Sequence, residues 1–553
     1  MEKKRALIVG GVAGGASCAA RLRRLKEHWE IVVFDRGPYV SFANCGLPYY
    51  VGDVIADERK LLVASPELFR ERFAIDVRTD SEVLSIDRAG QTVIVRDLKG
   101  RRDYQERYDA LVLSPGGRPV RPPIPGIDLP GIFSLRTIPD SRLIRSWLVE
   151  KNVQRAVVVG AGFIGLEMAE NLTRRGVEVT LIELAEQVMP SLDREMAAPI
   201  AETLQRKGVK LHLGDGVAGF SPDGGGLTVA TRDGSRFPAD LVILGMGIVP
   251  ETSLAADAGL TLGQTKAIQV DTEMQTSDPH IWAVGDAIEV THVVHGTPHI
   301  VPLAGPANRQ GRVAADSIAG RGSRFRGVQS TAVCGVFDQV IAQTGATEKL
   351  LAERAQSDVA SIYLHPGHHV GYYPGARPIH LKLTFSLADG KILGAQATGE
   401  AGVERRIDVI AMAIQMGATV YDLEEAELCY APQFGAAKDP VNMAGMIAAN
   451  VLRGDMPLAS WRALDQRGDV TLVDVREPNE FESEHIPGAL SLPLSQLRQG
   501  LDKLPQGGEL WLYCRVGQRA YYAVRALRQH GFDARNLSGG LLTYQAIIAS
   551  EPH

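Results

Sequence analysis

The sequence predicts a multidomain α/β protein, and three observations support this fold class. The stretch "RALIVGGVAGGASCAARLRRL" has the pattern of an apolar strand, a glycine-rich turn and an alanine-rich helix. The same order of patterns recurs in "RAVVVGAGFIGLEMAENLTRRG" at residues 155–176. After residue 458, short apolar stretches such as "VTLVDVRE" and "ELWLYC" alternate with helical segments. Strand–helix–strand repeats of this kind form parallel sheets covered by helices.

Length and composition define the general class of protein. A chain of 553 residues is too long for a single hydrophobic core. Its net charge of −6 shows no basic excess, so we expect no nucleic-acid partner. No stretch has the roughly 18 consecutive apolar residues of a membrane span, and "MEKKRALIVGG" lacks a signal-peptide core. The five cysteines are far apart and lack C-x-x-C spacing, which predicts no disulfide framework, no metal site and a cytoplasmic location.

The first glycine turn carries an incomplete dinucleotide-binding pattern. Gly10 and Gly15 occupy the outer glycine positions, but Val12 stands where the middle glycine is expected. The next strand, in "EIVVFDRG", ends at Asp35, where a carboxylate can accept a hydrogen bond from a ribose. This turn predicts a nucleotide site, and a partner motif is needed to define it.

The second glycine turn carries the complete pattern Gly160-x-Gly162-x-x-Gly165. These glycines permit a tight turn, close approach of a pyrophosphate, and close packing of helix on strand. Glu183 ends the following strand, where it would accept the ribose 2′-hydroxyl and repel a 2′-phosphate. The second turn therefore predicts a site for NADH rather than NADPH.

The remaining pattern changes predict the domain organisation. "HIWAVGDAIEV" is a predicted strand that ends near Asp286, and "PLAGPANRQGRVAADSI" is a predicted loop and helix. A region of alternating strands and helices follows, and "LRGDMPLAS" has the composition of a linker. We predict four domains: 1–150 with 270–323, 151–269, 324–450 and 458–553.

Two dinucleotide turns followed by strand–Gly–Asp resemble the flavoprotein disulfide reductase superfamily, and "LSPGGRP" resembles its linking motif. The resemblance implies two Rossmann-like domains, the first for FAD and the second for NAD(P)H. It also implies that Asp286 contacts the ribityl chain of FAD, and that region 324–450 is an α+β dimerisation domain of a homodimer.

Cys45, in "SFANCGLPYY", has no second cysteine nearby, so it cannot form an internal redox disulfide. "GGVAGGASCAARLRRL", "GPYVSFANCGLPYY" and "YAPQFGAAKDPVNMAG" resemble coenzyme A-disulfide reductases. In that group a single cysteine forms a mixed disulfide with coenzyme A. In the related water-forming NADH oxidases and peroxidases it becomes a sulfenate, and this alternative stays open.

The resemblance implies further site residues. Tyr430, in "YAPQF", and Tyr372, in "GYYPGA", match the acid pair of the family, with Tyr373 as a rival for the second place. A tyrosine hydroxyl can donate the proton that a leaving thiolate needs. Predicted substrate contacts are Ser41 and Asn44 beside the cysteine, the helix arginines Arg21, Arg23 and Arg24, and Asn308 and Arg309.

The last region resembles a single rhodanese domain. In "YCRVGQRA" Cys514 ends a strand, and Arg515 and Arg519 belong to the loop and helix that follow. Backbone N–H groups of such a loop and the helix dipole stabilise an anionic persulfide. The resemblance implies that Cys514 carries sulfane sulfur and that Asp474, Arg476, Glu484 and His485 are mainly structural. A phosphatase-like loop is a minor alternative.

The chain as a whole resembles a coenzyme A-disulfide reductase fused to a rhodanese domain, the group that includes NADH-dependent persulfide reductases. The resemblance implies that NADH, through FAD, reduces coenzyme A persulfide, polysulfide or disulfide. We expect Cys18 and Cys334 to be structural and Cys429 to have no more than a minor redox role. The histidines of "HPGHHVGYY" are predicted to form a polar loop.

Overall fold

The computed structural model describes residues 4–466, 468–505 and 507–550. The first three and the last three residues, at the ends of the predicted domains 1–150 and 458–553, lie outside the described part. Among the described residues, no helix is both long and apolar enough to cross a membrane.

The chain divides into two compact units. The first unit consists of Met1–Leu184 and Gly208–Val328, and the second consists of Ala185–Lys207 and Gln329–His553. The first therefore contains both glycine turns, and the second contains the predicted dimerisation and rhodanese domains.

The first unit contains the two nucleotide-binding folds. Up to residue 183 its elements are β1 (Arg5–Val9), α1 (Ala13–Leu25), β2 (Glu30–Phe34), α2 (Leu47–Val51), α3 (Pro66–Phe73), β3 (Asp76–Arg78), β4 (Ser81–Asp87), β5 (Thr92–Asp97), β6 (Arg102–Arg107), β7 (Ala110–Leu113), β8 (Gly117–Pro119), β9 (Ile132–Ser134), α4 (Ile138–Glu150), β10 (Arg155–Val159), α5 (Phe163–Arg174) and β11 (Glu178–Glu183).

The next elements return to the same unit after one helix, α6 (Arg194–Arg206), that belongs to the second unit. They are β12 (Lys210–Leu213), β13 (Val217–Asp223), β14 (Gly226–Thr231), β15 (Arg236–Ala239), β16 (Leu241–Leu244), β17 (Ile248–Pro250), α7 (Ser253–Asp257), β18 (Ile268–Gln269), β19 (Ile281–Ala283), β20 (Ile288–Thr291), β21 (Pro298–His299) and α8 (Ala304–Ile318).

Each glycine turn follows a strand of a five-stranded parallel sheet. The first sheet has the order β19-β7-β1-β2-β3, and the second has the order β12-β11-β10-β16-β9. The central strands β1, β7, β10 and β16 are mainly apolar and buried, as expected for parallel sheets that helices cover on both faces. Strands β1 and β10 lie inside their sheets, so the turns that follow them open at the carboxyl edge, where nucleotides bind. The two predicted βαβ units are confirmed.

The dimerisation region of the second unit is α+β, as predicted. Its elements are β22 (Ala332–Val336), β23 (Gln339–Gly345), α9 (Glu348–Glu353), β24 (Val359–Leu364), β25 (Ile379–Ser386), β26 (Ile392–Gly399), α10 (Val403–Gln415), α11 (Val420–Glu425) and α12 (Pro440–Leu452). The strands form an antiparallel sheet in the order β22-β23-β26-β25-β24, and α10 packs against β23 and β26. One apolar face of α10 explains this packing.

The C-terminal region is a smaller α/β fold. Its elements are β27 (Leu458–Ala459), β28 (Thr471–Asp474), α13 (Pro478–Ser483), β29 (Leu490–Ser491), β30 (Glu509–Tyr513), α14 (Gln518–Gln529), β31 (Asp533–Leu537) and α15 (Gly540–Ser550). The strands form a parallel sheet in the order β27-β31-β30-β28-β29. The central strand β30 ends one residue before Cys514, so the cysteine lies at the carboxyl edge of the sheet.

Candidate functional site

The first glycine turn needs glycine for close backbone packing. Gly10 has φ +93°, and a Cβ there would lie 2.0 Å from the carbonyl oxygen of Ser114. A Cβ at Gly15 would lie 1.9 Å from the carbonyl oxygen of Gly10, which explains how α1 begins so close to β1. Asp35 accepts a hydrogen bond from the N–H of Gly11 at 2.9 Å, and burial raises the pKa of its carboxyl. The turn leaves the start of α1 without a side-chain cap, so its N–H groups can meet a pyrophosphate.

The second glycine turn has the same construction and an open middle position. A Cβ at Gly165 would lie 1.8 Å from the carbonyl oxygen of Gly160, whereas a Cβ at Gly162 would meet no atom within 4 Å. That open space lies at the uncapped start of α5, where a pyrophosphate would contact the backbone. Glu183 accepts a hydrogen bond from the N–H of Ala161 at 2.6 Å, which places its carboxylate beside the turn. These residues fit a bound dinucleotide.

Asp286 lies in a single 3₁₀ turn, Gly285–Ala287, that follows β19. Its carboxylate forms an ion pair with Arg136 at 2.9 Å. Gln310 on α8 holds the same turn by accepting from the N–H of Gly285 at 2.8 Å. The sequence did not predict Arg136, because 150 positions separate it from Asp286.

Cys45 lies in the 3₁₀ turn Asn44–Gly46 that precedes α2, and it is exposed. The N–H of Ser41 donates to the carbonyl of Gly11 at 2.8 Å, so the cysteine segment is anchored to the first glycine turn. Ser41 itself has φ +47°, a left-handed conformation that a sharp change of chain direction requires. The fold thus places the single thiol beside the nucleotide turn, with Asn44 next to it in the chain.

Two acidic groups and one arginine control the charge around this thiol. Partial burial raises the pKa of Cys45, the Glu167 and Asp286 carboxylates raise it further, and Arg136 lowers it. Burial also raises the pKa of Glu167 to about 7, while a hydrogen bond from the Tyr49 hydroxyl at 3.1 Å acts against this change. No sequence pattern predicted a role for Glu167. Its one signal is its place on the helix that follows the second glycine turn.

The predicted arginine contacts divide into two groups. Arg21 forms an ion pair with Asp316 at 2.7 Å, so a carboxylate already balances its charge. Arg23 is buried and donates to backbone carbonyls, including that of Phe73 at 2.7 Å, which makes it a structural residue and not the predicted phosphate ligand. Arg24 is exposed at the end of α1, where its predicted role stays open.

Asn308 and Arg309, on α8, are exposed. The Asn308 side chain donates to the carbonyl of Ala304 at 2.9 Å and accepts from Ser17. The Arg309 guanidinium lies 5.4 Å from the centre of the Phe325 ring. Their substrate contacts remain predictions.

The two predicted tyrosines come together in the second unit. The hydroxyl oxygens of Tyr372 and Tyr430 are 2.9 Å apart, and this hydrogen bond raises the pKa of Tyr430. Both side chains are largely exposed, at 74% and 46%. The rival Tyr373 instead packs edge-on against His369 at 5.5 Å. The geometry therefore favours Tyr372 as the partner of Tyr430.

Cys514 is fully buried at the end of β30. Its sulfur accepts a hydrogen bond from the N–H of Gly517 at 3.2 Å. Gly517 has φ +90°, and a Cβ there would lie 2.9 Å from the backbone nitrogen of Gly539. The loop then leads into α14, whose start has no side-chain cap. An N–H donor and an uncapped helix start both stabilise a sulfur anion.

The two arginines of this loop differ. Arg515 is exposed, whereas Arg519 is held by both oxygens of Glu480 at 2.6 and 2.7 Å. The predicted anion contact of Arg519 therefore competes with a carboxylate. The four residues of this domain that were predicted to be structural contact other protein side chains. Arg476 binds Asp474 at 2.7 Å in a buried ion pair, Glu484 accepts from Gln545, and His485 stacks on Phe481.

The other three cysteines comprise two buried thiols and one exposed thiol, and one acidic cluster surrounds a lysine. Burial raises the pKa of Cys18 to about 12, and Cys334 is buried. Cys429 is exposed, with the Arg405 guanidinium 3.4 Å from its sulfur. Three carboxylates of Asp193, Glu195 and Glu348 converge on the buried Lys382 ammonium, which fills the centre where a cation would lie.

Three family models match this chain in the order in which its folds occur. Residues 4–311 match the pyridine nucleotide-disulphide oxidoreductase model, and residues 331–439 match the dimerisation domain of the same family. Residues 459–547 match the rhodanese-like domain. The chain belongs to the pyridine nucleotide-disulphide oxidoreductase family.

Two solved structures and one further relative are similar to most of this chain. The structure of reduced CoADR-RHD from Bacillus anthracis is 45% identical, with a TM-score of 0.97, and covers 99% of each chain. The structure of an NAD-dependent persulfide reductase from A. fulgidus is 36% identical, with a TM-score of 0.91, and covers 98% of this chain and 100% of that one. The coenzyme A disulfide reductase of Staphylococcus epidermidis is 36% identical over 79% of this chain and 98% of its own length.

Family membership agrees with the two nucleotide folds. The enzyme is an oxidoreductase that uses FAD and NADH, with glycine turns that fit both cofactors. A rhodanese-like domain follows its dimerisation domain in the same chain.

Proposed function

We propose that this oxidoreductase uses NADH to reduce coenzyme A persulfide, and that it releases hydrogen sulfide and coenzyme A. One observation carries the proposal. A solitary, exposed Cys45 is anchored to the first glycine turn, and the same chain carries a second cysteine, Cys514, with an N–H donor on its sulfur. The names of the relatives from B. anthracis, A. fulgidus and S. epidermidis support the same substrate class.

The nucleotide-binding residues have separate tasks in this proposal. The turn around Gly10 and Gly15, with Asp35 and Asp286, would hold FAD, and the turn around Gly162, with Glu183, would hold NADH. When bound, FAD would supply the hydride acceptor for NADH and the two-electron donor for sulfur. Arg136 would keep the Asp286 carboxylate in place, because the two groups are 2.9 Å apart.

Cys45 carries the sulfur chemistry. Its thiolate attacks the coenzyme A-bound sulfur of the persulfide, so a Cys45–coenzyme A disulfide forms and the outer sulfur leaves as hydrosulfide. Two electrons then break this disulfide, which restores the Cys45 thiolate and releases coenzyme A as a thiol after it takes up a proton. In total, NADH, one proton and the persulfide yield NAD⁺, coenzyme A and hydrogen sulfide.

The tyrosine pair would supply the proton to a leaving sulfur. A hydroxyl that is already hydrogen-bonded to a second hydroxyl can donate and be resupplied within the pair. We place Tyr372 and Tyr430 at Cys45 of the partner subunit of a homodimer, which the dimerisation domain supports.

Cys514 would prepare the substrate. Its thiolate attacks the terminal sulfur of a polysulfide or an alkyl persulfide, and the shortened sulfur chain or the alkyl thiolate leaves. The coenzyme A thiolate then takes this sulfur from Cys514 and becomes the persulfide. The Gly517 N–H, 3.2 Å from the thiol sulfur, is placed to stabilise the sulfur anion.

The competing function is that of a water-forming NADH oxidase, in which Cys45 becomes a sulfenate. The rhodanese-like domain, residues 459–547, would have no role in that reaction. The two functions differ in the oxidant that they need and in the product that they form.

The deciding experiment compares three oxidants on the FAD-loaded enzyme. NADH oxidation is followed with coenzyme A persulfide and with coenzyme A disulfide, both without oxygen, and with oxygen alone. We expect the persulfide to be fastest and one hydrogen sulfide to appear for each NADH. An oxygen-dependent rate well above the persulfide rate, without sulfide release, would contradict the proposal.

A further inference from the structure

One short stretch, residues 538–543, lies directly against the Cys514 loop, and we call it the backing segment. The N–H of Leu541 donates to the carbonyl of Cys514 at 2.8 Å, and the N–H of Leu542 donates to that of Arg515 at 3.1 Å. A Cβ at Gly540 would lie 2.2 Å from the Cys514 carbonyl oxygen. The position of the loop therefore depends on the position of the backing segment.

The opposite side of the backing segment contacts β24 of the dimerisation sheet and the residue that follows it. The N–H of Tyr363 donates to the Ser538 hydroxyl at 2.9 Å, and that hydroxyl lies 3.2 Å from the Tyr363 carbonyl. The His365 Nε2 is 2.9 Å from the Thr543 hydroxyl. A Cβ at Gly539 would lie 2.7 Å from the Cβ of Tyr363 and 3.1 Å from the His365 Nε2. Both regions belong to the same compact unit.

The contacting side chains are themselves held by other residues of the second compact unit. His365 Nδ1 lies 2.7 Å from Nδ1 of His380 on β25, so one ring donates to the other. The Tyr363 hydroxyl donates to Glu195 at 2.8 Å, and Glu195 accepts from the buried Lys382 at 2.6 Å. These bonds restrict rotation of the Tyr363 and His365 side chains away from the backing segment.

We propose that His365, acting through Thr543, is a positioning residue for the Cys514 loop. The inference rests on the proposed role of Cys514 as a sulfur carrier. The dimerisation domain would thereby contribute to sulfur loading at a cysteine in another domain. Loading forms a bond between the Cys514 thiolate and the outer sulfur of an alkyl persulfide, and it breaks the bond to the alkyl thiolate, which leaves. The Gly517 N–H donates to the Cys514 sulfur that attacks, at 3.2 Å, so a displaced loop weakens this bond and slows the step.

The main test replaces Thr543 with valine, which has the same shape but no hydroxyl. Glutathione persulfide is mixed with the FAD-loaded enzyme, and persulfide on Cys514 is measured by rapid quenching, alkylation and mass spectrometry. We expect Thr543→Val and His365→Gln to slow loading by about threefold to tenfold, the range set by one hydrogen bond. Thr543→Ser, which keeps the hydroxyl, restores the rate. NADH oxidation with coenzyme A disulfide remains at the wild-type rate in all three variants.

The matched control is Ser361→Ala on β24, whose hydroxyl bonds Thr384 within the sheet at 3.0 Å. It should load sulfur at the wild-type rate. Loading that is as fast in Thr543→Val as in the wild type, or as slow in Ser361→Ala as in Thr543→Val, would overturn the inference and leave the proposed function intact. A wild-type Cys514 that takes up no sulfur would overturn the proposed function, and the inference with it.

Discussion

The two candidate sulfur sites of this chain have opposite environments. Cys45 is exposed, lies in a single helical turn, and has a pKa that burial and Glu167 raise. Cys514 is fully buried, yet an N–H group contacts its sulfur at 3.2 Å. An exposed sulfur can meet a large substrate, whereas an enclosed one keeps a bound sulfur atom away from water and other thiols. The difference suggests a reaction centre and a carrier.

The largest effect should separate the two cysteines. Cys45→Ser should lower NADH oxidation with coenzyme A persulfide by about 1000-fold or more, because no other residue supplies the nucleophile. Cys514→Ser should leave that rate nearly unchanged and slow the reaction with polysulfide plus coenzyme A. Steady-state NADH consumption with each substrate measures both effects. Equal losses in both variants on every substrate would mean that the cysteines do not have separate roles.

A smaller effect should follow from strain at the Cys514 loop. Gly517→Ala places a Cβ 2.9 Å from the Gly539 nitrogen at φ +90°, so we expect sulfur loading of Cys514 to fall by about tenfold. The control is Gly531→Ala, which has φ +87° but no atom within 4 Å of its Cβ. It should lower stability with little effect on loading. Similar loading in both variants would show that loop geometry is not what limits this cysteine.

Substrate charge should distinguish the carrier site. Glu480→Gln removes the carboxylate that holds Arg519, so the guanidinium becomes available to an anionic substrate. We expect the rate with thiosulfate as sulfur donor and cyanide as acceptor to rise by about threefold to tenfold. Glu484→Gln, whose carboxylate contacts Gln545, is the control. No gain in Glu480→Gln would mean that Arg519 plays no part in substrate choice.

The smallest effect concerns the titration of Cys45. The pKa of Glu167 is about 7, so its negative charge forms above this pH and then raises the pKa of the thiol. Glu167→Gln should shift the pH midpoint of Cys45 alkylation by iodoacetamide downward, by up to about one unit. Glu178→Gln, whose exposed side chain stands at the start of β11, should not. An unchanged midpoint in Glu167→Gln would show that other groups set the reactivity of this thiol.

The same carboxyl should affect stability. Because the pKa of Glu167 is raised on folding, the folded protein binds the extra proton between its unfolded pKa near 4.5 and the folded value near 7. Stability therefore falls as the pH rises through this window, with a slope of up to about 1.4 kcal/mol per pH unit. Glu167→Gln should lose this slope in denaturant unfolding followed from pH 5 to pH 8.

Much of the fold was predictable because its signals lie in contiguous residues. Each glycine turn can be recognised from a few positions in the sequence. A Cβ at Gly15 or Gly165 would collide with a carbonyl within its own turn, so these positions require glycine. Cys45 and Cys514 were also selected from local patterns, one by its isolation and the other by its loop, and their roles stay predictions. The Tyr372–Tyr430 hydrogen bond confirms that these two side chains lie together, and their catalytic role stays a prediction.

Other features were not predictable because they join distant segments. Arg21 and Arg23 cannot be distinguished by their sequence context. In the structure, Asp316 balances the charge of Arg21, whereas Arg23 donates to backbone carbonyls. Glu480 is 39 positions before Arg519, and sequence spacing gives no sign of their ion pair. Such partners depend on which helices pack beside one another in the fold.

The sequence by itself determined the order of the folds, the glycine turns and the two cysteines. Backbone conformation at a turn depends on a few neighbouring residues, so glycine spacing and strand–helix patterns carry that information. Only the tertiary structure decided which polar groups meet: Arg136 with Asp286, Glu167 near Cys45, and His365 with Thr543. These pairs form because sheet order and helix packing bring together residues that no local pattern connects.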